Sequence, residues 1–307
     1  MIAATSAETF VEAPGPQGPL KGTILSAAAP NAPVGLIIPG SGPTDRDGNN
    51  PLGVKGSPYK LLAEGLAAKG ISSVRIDKRG MFASAGATPD ANAVTIADYV
   101  SDIGAWTTVI RQQTGAGCVW LIGHSEGGLV ALAAAQKLPN LCGLILVATP
   151  GRRMAEILRE QLKANPANAP ILDEALAAIS SLEAGRRVDD AKLNPALRPL
   201  FYAGVQGFLI DMFAQDPAAL IAKVGKPVLI LQGARDLQVH EVDAQNLKKA
   251  DPQAKLVILA NVNHVLKSVT SDDPRANLAT YGDASLPLAP GVVDAVADFI
   301  DAALHAR

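Results

Sequence analysis

The fold of this 307-residue chain is decided by the stretch Cys118-Val-Trp-Leu-Ile-Gly-His-Ser-Glu-Gly-Gly-Leu-Val-Ala-Leu132. Residues 119–122 form an apolar run typical of a buried strand, and 127–135 are rich in Ala and Leu, which favour helix. Between them, Gly123-His-Ser-Glu-Gly127 fits the G-x-S-x-G pattern, in which a strand turns sharply into a helix and exposes a serine. The pattern predicts that Ser125 is a nucleophile at the carboxyl end of a strand, close to a helix N-terminus that favours negative charge.

Strands and helices alternate on both sides of this stretch. The uninterrupted apolar run at 34–38 is typical of a strand covered on both faces, and further strands are predicted at 72–76, 143–148, 227–232 and 255–259. Helices are predicted at 58–69, opened by Ser57 as N-cap, and at 95–113, 239–250 and 290–304. Short strands at 9–12 and 21–26 predict an antiparallel edge hairpin. The fold class is therefore α/β, with a mostly parallel central sheet covered by helices on both faces.

The alternation is interrupted once. Residues 151–226 contain no buried strand, and their apolar spacing predicts helices at 154–164 and 171–182. We therefore expect a core made of residues 1–150 and 227–307, with 151–226 inserted between two core strands as a helical cap. At the carboxyl ends of those strands, the cap would cover the site that Ser125 opens.

Composition excludes several classes of function. A net charge of −2 with 18% charged residues provides no electrostatic footprint for nucleic acid or an anionic membrane. No apolar run reaches transmembrane length, and no signal peptide is visible, so a cytoplasmic location is expected, with export left open. The oligomeric state is expected to be monomer or homodimer. The two cysteines, Cys118 and Cys142, are expected to be buried free thiols, with a disulfide as the alternative.

A nucleophilic serine needs a base, and only four histidines are present. His264 follows the last predicted strand, at the same end of the sheet as Ser125, and is the predicted base. His124 adjoins Ser125 and projects differently from the turn, whereas His240 is expected to begin a helix and His305 lies in the terminal tail.

The base in turn needs an acid. Asp236 comes directly after a buried strand. The chain order Ser125, Asp236, His264 is the order expected when the nucleophile lies in a G-x-S-x-G turn between a strand and a helix, the nucleophile elbow. Asp243 is the nearest alternative, and Asp272 and Asp273 are more distant ones. A helix-capping role is the alternative explanation for Asp236 itself.

The loop after the first buried strand is Pro39-Gly-Ser-Gly-Pro-Thr-Asp-Arg-Asp-Gly-Asn49. Its glycines allow close approach of backbone to a ligand, so the backbone N–H of Ser41 is predicted to serve as an oxyanion donor with the N–H of Glu126. Asp45, Asp47 and Asn49 superficially suggest a calcium loop. The glycine and the final acidic position do not fit, so no metal site is predicted, and the loop is expected to fold on itself and to pair with Lys78 or Arg79.

Together these motifs resemble the α/β-hydrolase superfamily over nearly the whole chain. The stretches 39–49, 77–80 (Asp-Lys-Arg-Gly), 123–128, 232–239 (Gln-Gly-Ala-Arg-Asp-Leu-Gln-Val) and 263–267 (Asn-His-Val-Leu-Lys) are similar to the branch of bacterial carboxylesterases labelled serine-aminopeptidase-like hydrolases. The resemblance implies a Ser-Asp-His triad, a helical cap and no cofactor. Residues 81–84 depart from it, since relatives usually carry Gly-x-Gly-x-Ser after the Asp-Lys-Arg-Gly motif.

The predicted function is hydrolysis of short- to medium-chain carboxylic esters through an acyl-enzyme, with a small-molecule ester as the partner. Five apolar cap residues are candidates to line an acyl pocket, with packing inside the cap as the alternative: Phe201, Tyr202, Phe208, Met212 and Phe213. An aminopeptidase on the same fold is the first rival and would use Asp173, Glu174 or Glu183 to hold a substrate amine. A dehalogenase is disfavoured because Ser125 stands where a carboxylate would be needed. A non-catalytic binding protein is the rival from another class.

Overall fold

The computed structural model describes residues 7–29 and 31–306, and these ranges contain one eight-stranded sheet. The strands are β1 (Ala7–Ala13), β2 (Leu20–Ser26), β3 (Val34–Ile38), β4 (Ser72–Ile76), β5 (Val119–His124), β6 (Leu141–Val147), β7 (Val228–Gly233) and β8 (Lys255–Leu259). Their order across the sheet is β1-β2-β4-β3-β5-β6-β7-β8. The β1–β2 and β2–β4 pairs are antiparallel, and every pair from β4 to β8 is parallel. The predicted α/β class is therefore confirmed, and so is the N-terminal hairpin.

The parallel strands place their loops at one edge of the sheet. β3, β4, β5, β6 and β7 are buried along their whole length, because helices cover both faces of the sheet. Carboxyl ends of parallel strands meet at the same edge. The loops that follow β3, β5, β7 and β8 therefore come together there, and these loops carry Ser41, Ser125, Asp236 and His264.

The helices are α1 (Pro58–Ala68), α2 (Ile96–Thr114), α3 (Glu126–Ala135), α4 (Met154–Ala164), α5 (Leu172–Glu183), α6 (Arg198–Phe201), α7 (Gln206–Ala214), α8 (Pro217–Ile221), α9 (Glu241–Ala250), α10 (Pro274–Ala279) and α11 (Val292–His305). Apolar side chains of α1 and α11 pack on one face of the sheet, and those of α2, α3 and α9 on the other. The central sheet is thus covered on both sides, as the sequence predicts.

Two helix starts differ in how they are capped. Thr95 caps α2 through a reciprocal capping box with Asp98, which satisfies two backbone donors at the helix end. Ser57 was expected to cap α1, but its φ is +45° and its side chain makes no capping hydrogen bond. Instead its backbone N–H and its hydroxyl both donate to the Asn49 side-chain oxygen. Ser57 is therefore at the N-cap position before Pro58, as predicted, but its side chain does not cap the helix because the preceding loop competes for its polar groups.

Five helices, α4 to α8, lie between β6 and β7 in the chain. Residues 148–227 are all described, and no strand interrupts the helices there. Apolar side chains of this segment, including Ile179 and Phe213, join the same core cluster as α2 and α3. The segment is therefore packed onto the sheet domain rather than tethered beside it.

A disulfide joins Cys118 to Cys142, so the expectation of two free thiols is wrong. Cys118 directly precedes β5, and Cys142 lies in β6, the neighbouring parallel strand. The Cα atoms are 5.1 Å apart, which is inside the range that a disulfide spans. The bridge ties the strand that leads to Ser125 to its neighbour at the edge opposite the predicted site.

Within residues 7–29 and 31–306, every helix is too short or too polar to cross a bilayer.

Candidate active site

Ser125 is the single residue between β5, which ends at His124, and α3, which begins at Glu126. Its backbone angles are φ +54° and ψ −122°, a combination disfavoured for any residue that carries a Cβ. Such strained backbone persists only when the surrounding structure holds it in place. The turn therefore projects the serine side chain out of the carboxyl edge of the sheet, as the G-x-S-x-G pattern predicts.

The flanking glycines make this turn sterically feasible. A Cβ at Gly123 would lie 2.3 Å from the Gly127 carbonyl oxygen, and one at Gly127 would lie 2.2 Å from the Ile38 carbonyl oxygen. A Cβ at Gly128 would lie 2.0 Å from the Thr149 hydroxyl oxygen. Real Cβ atoms do not approach other atoms this closely, so α3 begins against the backbones of β3 and β5 only because these residues lack side chains.

Asp236 and His264 form a buried hydrogen-bonded pair in the loops after β7 and β8. The His264 Nδ1 and Asp236 Oδ2 atoms are 2.8 Å apart. The other carboxylate oxygen accepts from the backbone N–H groups of Gln238 and Val239, at 2.7 and 2.9 Å. The carboxylate thus fixes the orientation of the imidazole and holds a proton on Nδ1, leaving Nε2 unprotonated when the ring is neutral.

The charge state of Asp236 follows from opposing effects. Burial alone would raise the pKa of its carboxyl group. The charge and hydrogen bond of His264, together with the two backbone donors, outweigh burial and hold that pKa below its usual range. Asp236 is therefore an ionised acceptor at neutral pH, the state that stabilises an imidazolium at position 264.

Ser125 and His264 line the same cavity of about 100 Å³. Among the described residues no hydrogen bond involves the Ser125 hydroxyl. Contacts between a nucleophile and its base are often long without substrate and shorten only in the reacting complex. The structure thus joins Asp236 to His264 directly, and Ser125 and His264 line one cavity.

Two backbone N–H groups near Ser125 are available to a ligand. Ser41 and Glu126 line a second cavity, of about 370 Å³, together with Ser125. In the part of the chain that the structure describes, neither of these N–H groups donates to an acceptor. The N–H of Glu126 also lies in the first turn of α3, where the helix dipole favours negative charge. The structure thus brings both predicted oxyanion donors to the serine.

A buried hydrogen-bond network, not predicted from sequence, connects the loop 39–49, which carries Ser41 and is called the oxyanion loop below, to the loop of His264. The Gly40 N–H donates to the Tyr59 hydroxyl at 3.1 Å, and this hydroxyl lies 2.8 Å from His124 Nδ1. His124 Nε2 lies 2.8 Å from the carbonyl oxygen of His264. Because a carbonyl can only accept, Nε2 of His124 carries the proton, and Nδ1 accepts from Tyr59.

His124 remains neutral in this network. Burial, aided by the charge of His264, lowers the pKa of His124 to about 3. Both its ring nitrogens are occupied, so His124 is not a base for Ser125, as its position in the turn predicts. No spacing in the sequence indicates its partners, because Tyr59 and His264 are 65 and 140 residues away.

A second buried contact holds the oxyanion loop from the other side. Lys78 Nζ donates to the Gly40 carbonyl oxygen at 2.7 Å and lies 3.3 Å from Glu126 Oε1. The ammonium also lies 5.4 Å from the centroid of the Tyr99 ring. Lys78 therefore links the loop of Ser41 to the first residue of α3, so that the two predicted oxyanion donors are held relative to each other.

The larger cavity is mainly apolar, and three of the five candidate cap residues line it: Phe208, Met212 and Phe213. Phe201 and Tyr202 do not. Phe201 is fully buried in the apolar core, and the Tyr202 ring lies against Gly204, 2.7 Å from where a Cβ would stand there. Aromatic residues at helical spacing thus divide between lining the cavity and packing inside the cap.

The alternative acids have other partners. Asp243 is buried and accepts from Arg152 and from the Gly151 N–H. Asp272 pairs with Arg235, and Asp273 caps α10. None of these carboxylates contacts a histidine within the described ranges.

The acidic loop after β3 folds on itself. Asp45 accepts from the N–H groups of Asp47 and Asn49, as expected for a local Asx hydrogen-bonded loop. Lys78, one of the two expected partners, contacts the loop at the Gly40 carbonyl oxygen. The charged residues of the loop have other partners: Arg46 pairs with Asp77, and Asp47 with Arg75. No cluster of side chains that could hold a metal ion is found among residues 7–29 and 31–306.

Comparison with known proteins finds one matching family model and a curated esterase. A family model described as serine aminopeptidase, S33, matches residues 53–267. Esterase EstD of Thermotoga maritima is 26% identical over 259 residues, which make up 81% of this chain and 58% of that protein. The chain therefore spans less than two thirds of the length of this curated relative.

Solved structures show the same fold. The esterase Pf2001 of Pyrococcus furiosus is 15% identical with a TM-score of 0.62, and the match covers 98% of this chain and 92% of that one. Est1E of Butyrivibrio proteoclasticus, with ferulic acid bound, is 18% identical with a TM-score of 0.61 over 96% of this chain and 99% of that one. A thermophilic esterase from Thermogutta terrifontis is 19% identical with a TM-score of 0.57, over 96% and 99%.

Proposed function

Because this chain belongs to the serine aminopeptidase S33 family of α/β hydrolases, we propose that it is a serine carboxylesterase acting on short- to medium-chain esters. The observation that carries the proposal is the pairing of His264 with Asp236 beside a cavity that Ser125 shares. Two backbone donors without acceptors among the described residues face the same serine. Several relatives are named esterases, which supports an ester as the bond that is cleaved.

In the proposed first step, His264 Nε2 removes the proton of the Ser125 hydroxyl as Oγ attacks the ester carbonyl carbon. The carbonyl electron pair moves onto the oxygen, which accepts hydrogen bonds from the N–H groups of Ser41 and Glu126. Asp236 holds the imidazole tautomer and stabilises the imidazolium. The tetrahedral intermediate then collapses, the bond to the alcohol oxygen breaks, and His264 gives that oxygen its proton.

The second step releases the acid from the acyl-enzyme. A water gives a proton to His264 and attacks the acyl carbon, and the oxyanion is again held by the Ser41 and Glu126 donors. The Ser125 oxygen leaves with the proton from His264, which restores the free enzyme. No cofactor takes part in this chemistry.

Residues 151–226 serve in this proposal as a cap over the larger cavity. The cavity lining includes Met154, Ile157, Phe208 and Met212 from α4 and α7, so the cap supplies much of its apolar wall. An apolar wall of this kind removes the acyl chain of a substrate from water. It also excludes water from the developing oxyanion, which strengthens the hydrogen bonds that stabilise it.

The aminopeptidase alternative lacks an acidic group in the right place. Among the described residues that line the larger cavity, the only carboxylate is that of Glu126, which already pairs with Lys78. The cap candidates lie elsewhere: Glu174 accepts from the Asn194 N–H, and Glu183 pairs with Arg159. Asp173 is exposed. Among the described residues, the larger cavity therefore offers a substrate α-ammonium no unpaired carboxylate.

The test compares p-nitrophenyl acetate and butyrate with aminoacyl p-nitroanilides, using the wild type and Ser125→Ala. We expect ester turnover by the wild type, slower anilide cleavage, and loss of both in Ser125→Ala. Faster anilide cleavage would support the aminopeptidase. Turnover that survives in Ser125→Ala would refute the role of Ser125 as the nucleophile. No turnover by folded wild-type protein would leave the non-catalytic binding protein as the better hypothesis.

A further inference from the structure

Two cavities of different character meet at Ser125. The apolar cavity, of about 370 Å³, extends under α4 and α7. The polar cavity, of about 100 Å³, lies between the loop 40–58 and the loops of His264 and Tyr281. Ser41, Ser125 and Gln238 line both. An ester bound at Ser125 would therefore place one of its two halves in each cavity.

The position of the base decides which half goes where. His264 lines the polar cavity and is not among the residues that line the apolar one. The imidazole must protonate the alcohol oxygen as that oxygen leaves, so the two groups have to be neighbours. The alcohol half of the substrate thus belongs in the polar cavity and the acyl half in the apolar cavity.

Two side chains that line the polar cavity have hydrogen-bond donors without an acceptor among the described residues. The Tyr281 hydroxyl accepts from Gln238 Nε2 at 3.1 Å, and no described residue accepts its proton. The Asn50 side-chain oxygen accepts from the N–H groups of Leu52 and Val54, and its amide N–H₂ likewise has no acceptor within residues 7–29 and 31–306. Burial raises the pKa of Tyr281 to about 12, so this phenol keeps its proton at neutral pH.

We propose that the preferred substrates are esters of an apolar acid with a small hydroxylated alcohol, whose free hydroxyl accepts hydrogen bonds from Tyr281 and Asn50. The proposal rests on the esterase function above and adds the class of alcohol to it. The small volume of the polar cavity favours an alcohol of a few non-hydrogen atoms. Its donors favour an alcohol that carries a second oxygen.

The test uses two butanoate esters whose alcohols have the same number of non-hydrogen atoms. In 2-hydroxyethyl butanoate the alcohol ends in a hydroxyl, and in propyl butanoate it ends in a methyl group. We expect the wild-type kcat/KM to be about three- to tenfold higher for the hydroxyethyl ester, the range that one net hydrogen bond provides. Tyr281→Phe should lower this ratio by slowing the hydroxyethyl ester alone.

Two further variants complete the experiment. Tyr202→Phe removes the same atom from a tyrosine that lines neither cavity, so it should leave the ratio unchanged. Asn50→Asp keeps the side-chain oxygen that Leu52 and Val54 need but removes the N–H₂ donors, so it should lower the ratio even if Tyr281→Phe fails to fold.

The outcomes separate this proposal from the proposed function. A wild-type ratio of one or below, with both esters hydrolysed, would overturn the alcohol preference and leave the esterase standing. An unchanged ratio in Tyr281→Phe and Asn50→Asp would overturn the role of these donors. If the folded wild type hydrolyses neither butanoate ester nor p-nitrophenyl butyrate, the esterase function itself would be refuted.

Discussion

Tyr59→Phe tests the network that connects the oxyanion loop to the base. The substitution removes a single buried hydroxyl, which accepts from the Gly40 N–H and donates to His124 Nδ1. Phe fills nearly the same volume, so packing against the α1 side of the sheet should be retained. The change therefore isolates the two hydrogen bonds from the hydrophobic contribution of the ring.

The expected effect on stability follows from what is left unpaired. The Gly40 N–H and His124 Nδ1 both lose their partner in a buried environment, and each such group costs about 1–3 kcal/mol. Partial relaxation of the loop lowers the sum, so we expect the free energy of unfolding to fall by about 2–4 kcal/mol. Urea titration followed by the fluorescence of the buried Trp106 and Trp120 measures it.

The expected effect on catalysis is on kcat rather than KM. Loss of a complete oxyanion donor costs about 10²–10³ in kcat, whereas Tyr59→Phe only loosens the loop that presents the Ser41 N–H. We therefore expect kcat on p-nitrophenyl butyrate to fall about 10- to 100-fold, with KM changed by less than about threefold. Tyr202→Phe, outside both cavities, is the matched control. A Tyr59→Phe enzyme with wild-type kcat and wild-type stability would refute the reasoning.

Three further predictions concern the elbow, the disulfide and pH. Ser125→Ala should abolish esterase turnover with the melting temperature nearly unchanged, because the Cβ that causes the strain at φ +54° remains. Ser125→Gly should be equally inactive but about 1 kcal/mol more stable. Equal stabilities of these two variants would contradict the assignment of strain. The Cys118–Cys142 disulfide closes a loop with a sequence separation of 24, and its reduction should lower the free energy of unfolding by about 3 kcal/mol. Urea titration with and without dithiothreitol measures this change. A double Cys→Ala variant should show no response to the reductant. The pKa of His124 is about 3 in the folded protein and ordinarily 6.5, so the unfolded chain binds more protons between these values. The free energy of unfolding should therefore fall by about 1.4 kcal/mol per pH unit as the pH falls below 6.5. A His124→Gln variant whose stability depends equally steeply on pH between 6.5 and 4 would count against the assignment.

Much of the fold could be predicted because its signals are local. The apolar run of β5, the Gly pattern around Ser125 and the Ala-rich start of α3 each specify their own conformation, and the parallel pattern then brings the strand ends together. Asp236 and His264 could be placed near Ser125 for the same reason, since each follows a strand of that sheet.

The remainder depends on contacts between distant parts of the chain. The Cys118–Cys142 disulfide depends on which strands are neighbours and on their register, which separation along the chain does not fix. The Tyr59–His124 hydrogen bond joins residues from α1 and β5, and nothing in either segment indicates the other. Helical spacing marks Phe201 and Phe208 equally, although Phe201 is buried in the core and Phe208 lines the cavity. A disulfide is typical of oxidising compartments, so the cytoplasmic location expected from sequence stays a prediction.

The most direct test of the central claim is to identify the residue that a fluorophosphonate probe modifies. Peptide mass spectrometry of the labelled wild type should find the adduct on Ser125, with matching loss of esterase turnover. His264→Ala should slow labelling by about 10³-fold or more, since the serine then lacks its base. An adduct on any other residue, or undiminished labelling of Ser125 in His264→Ala, would contradict the proposed triad.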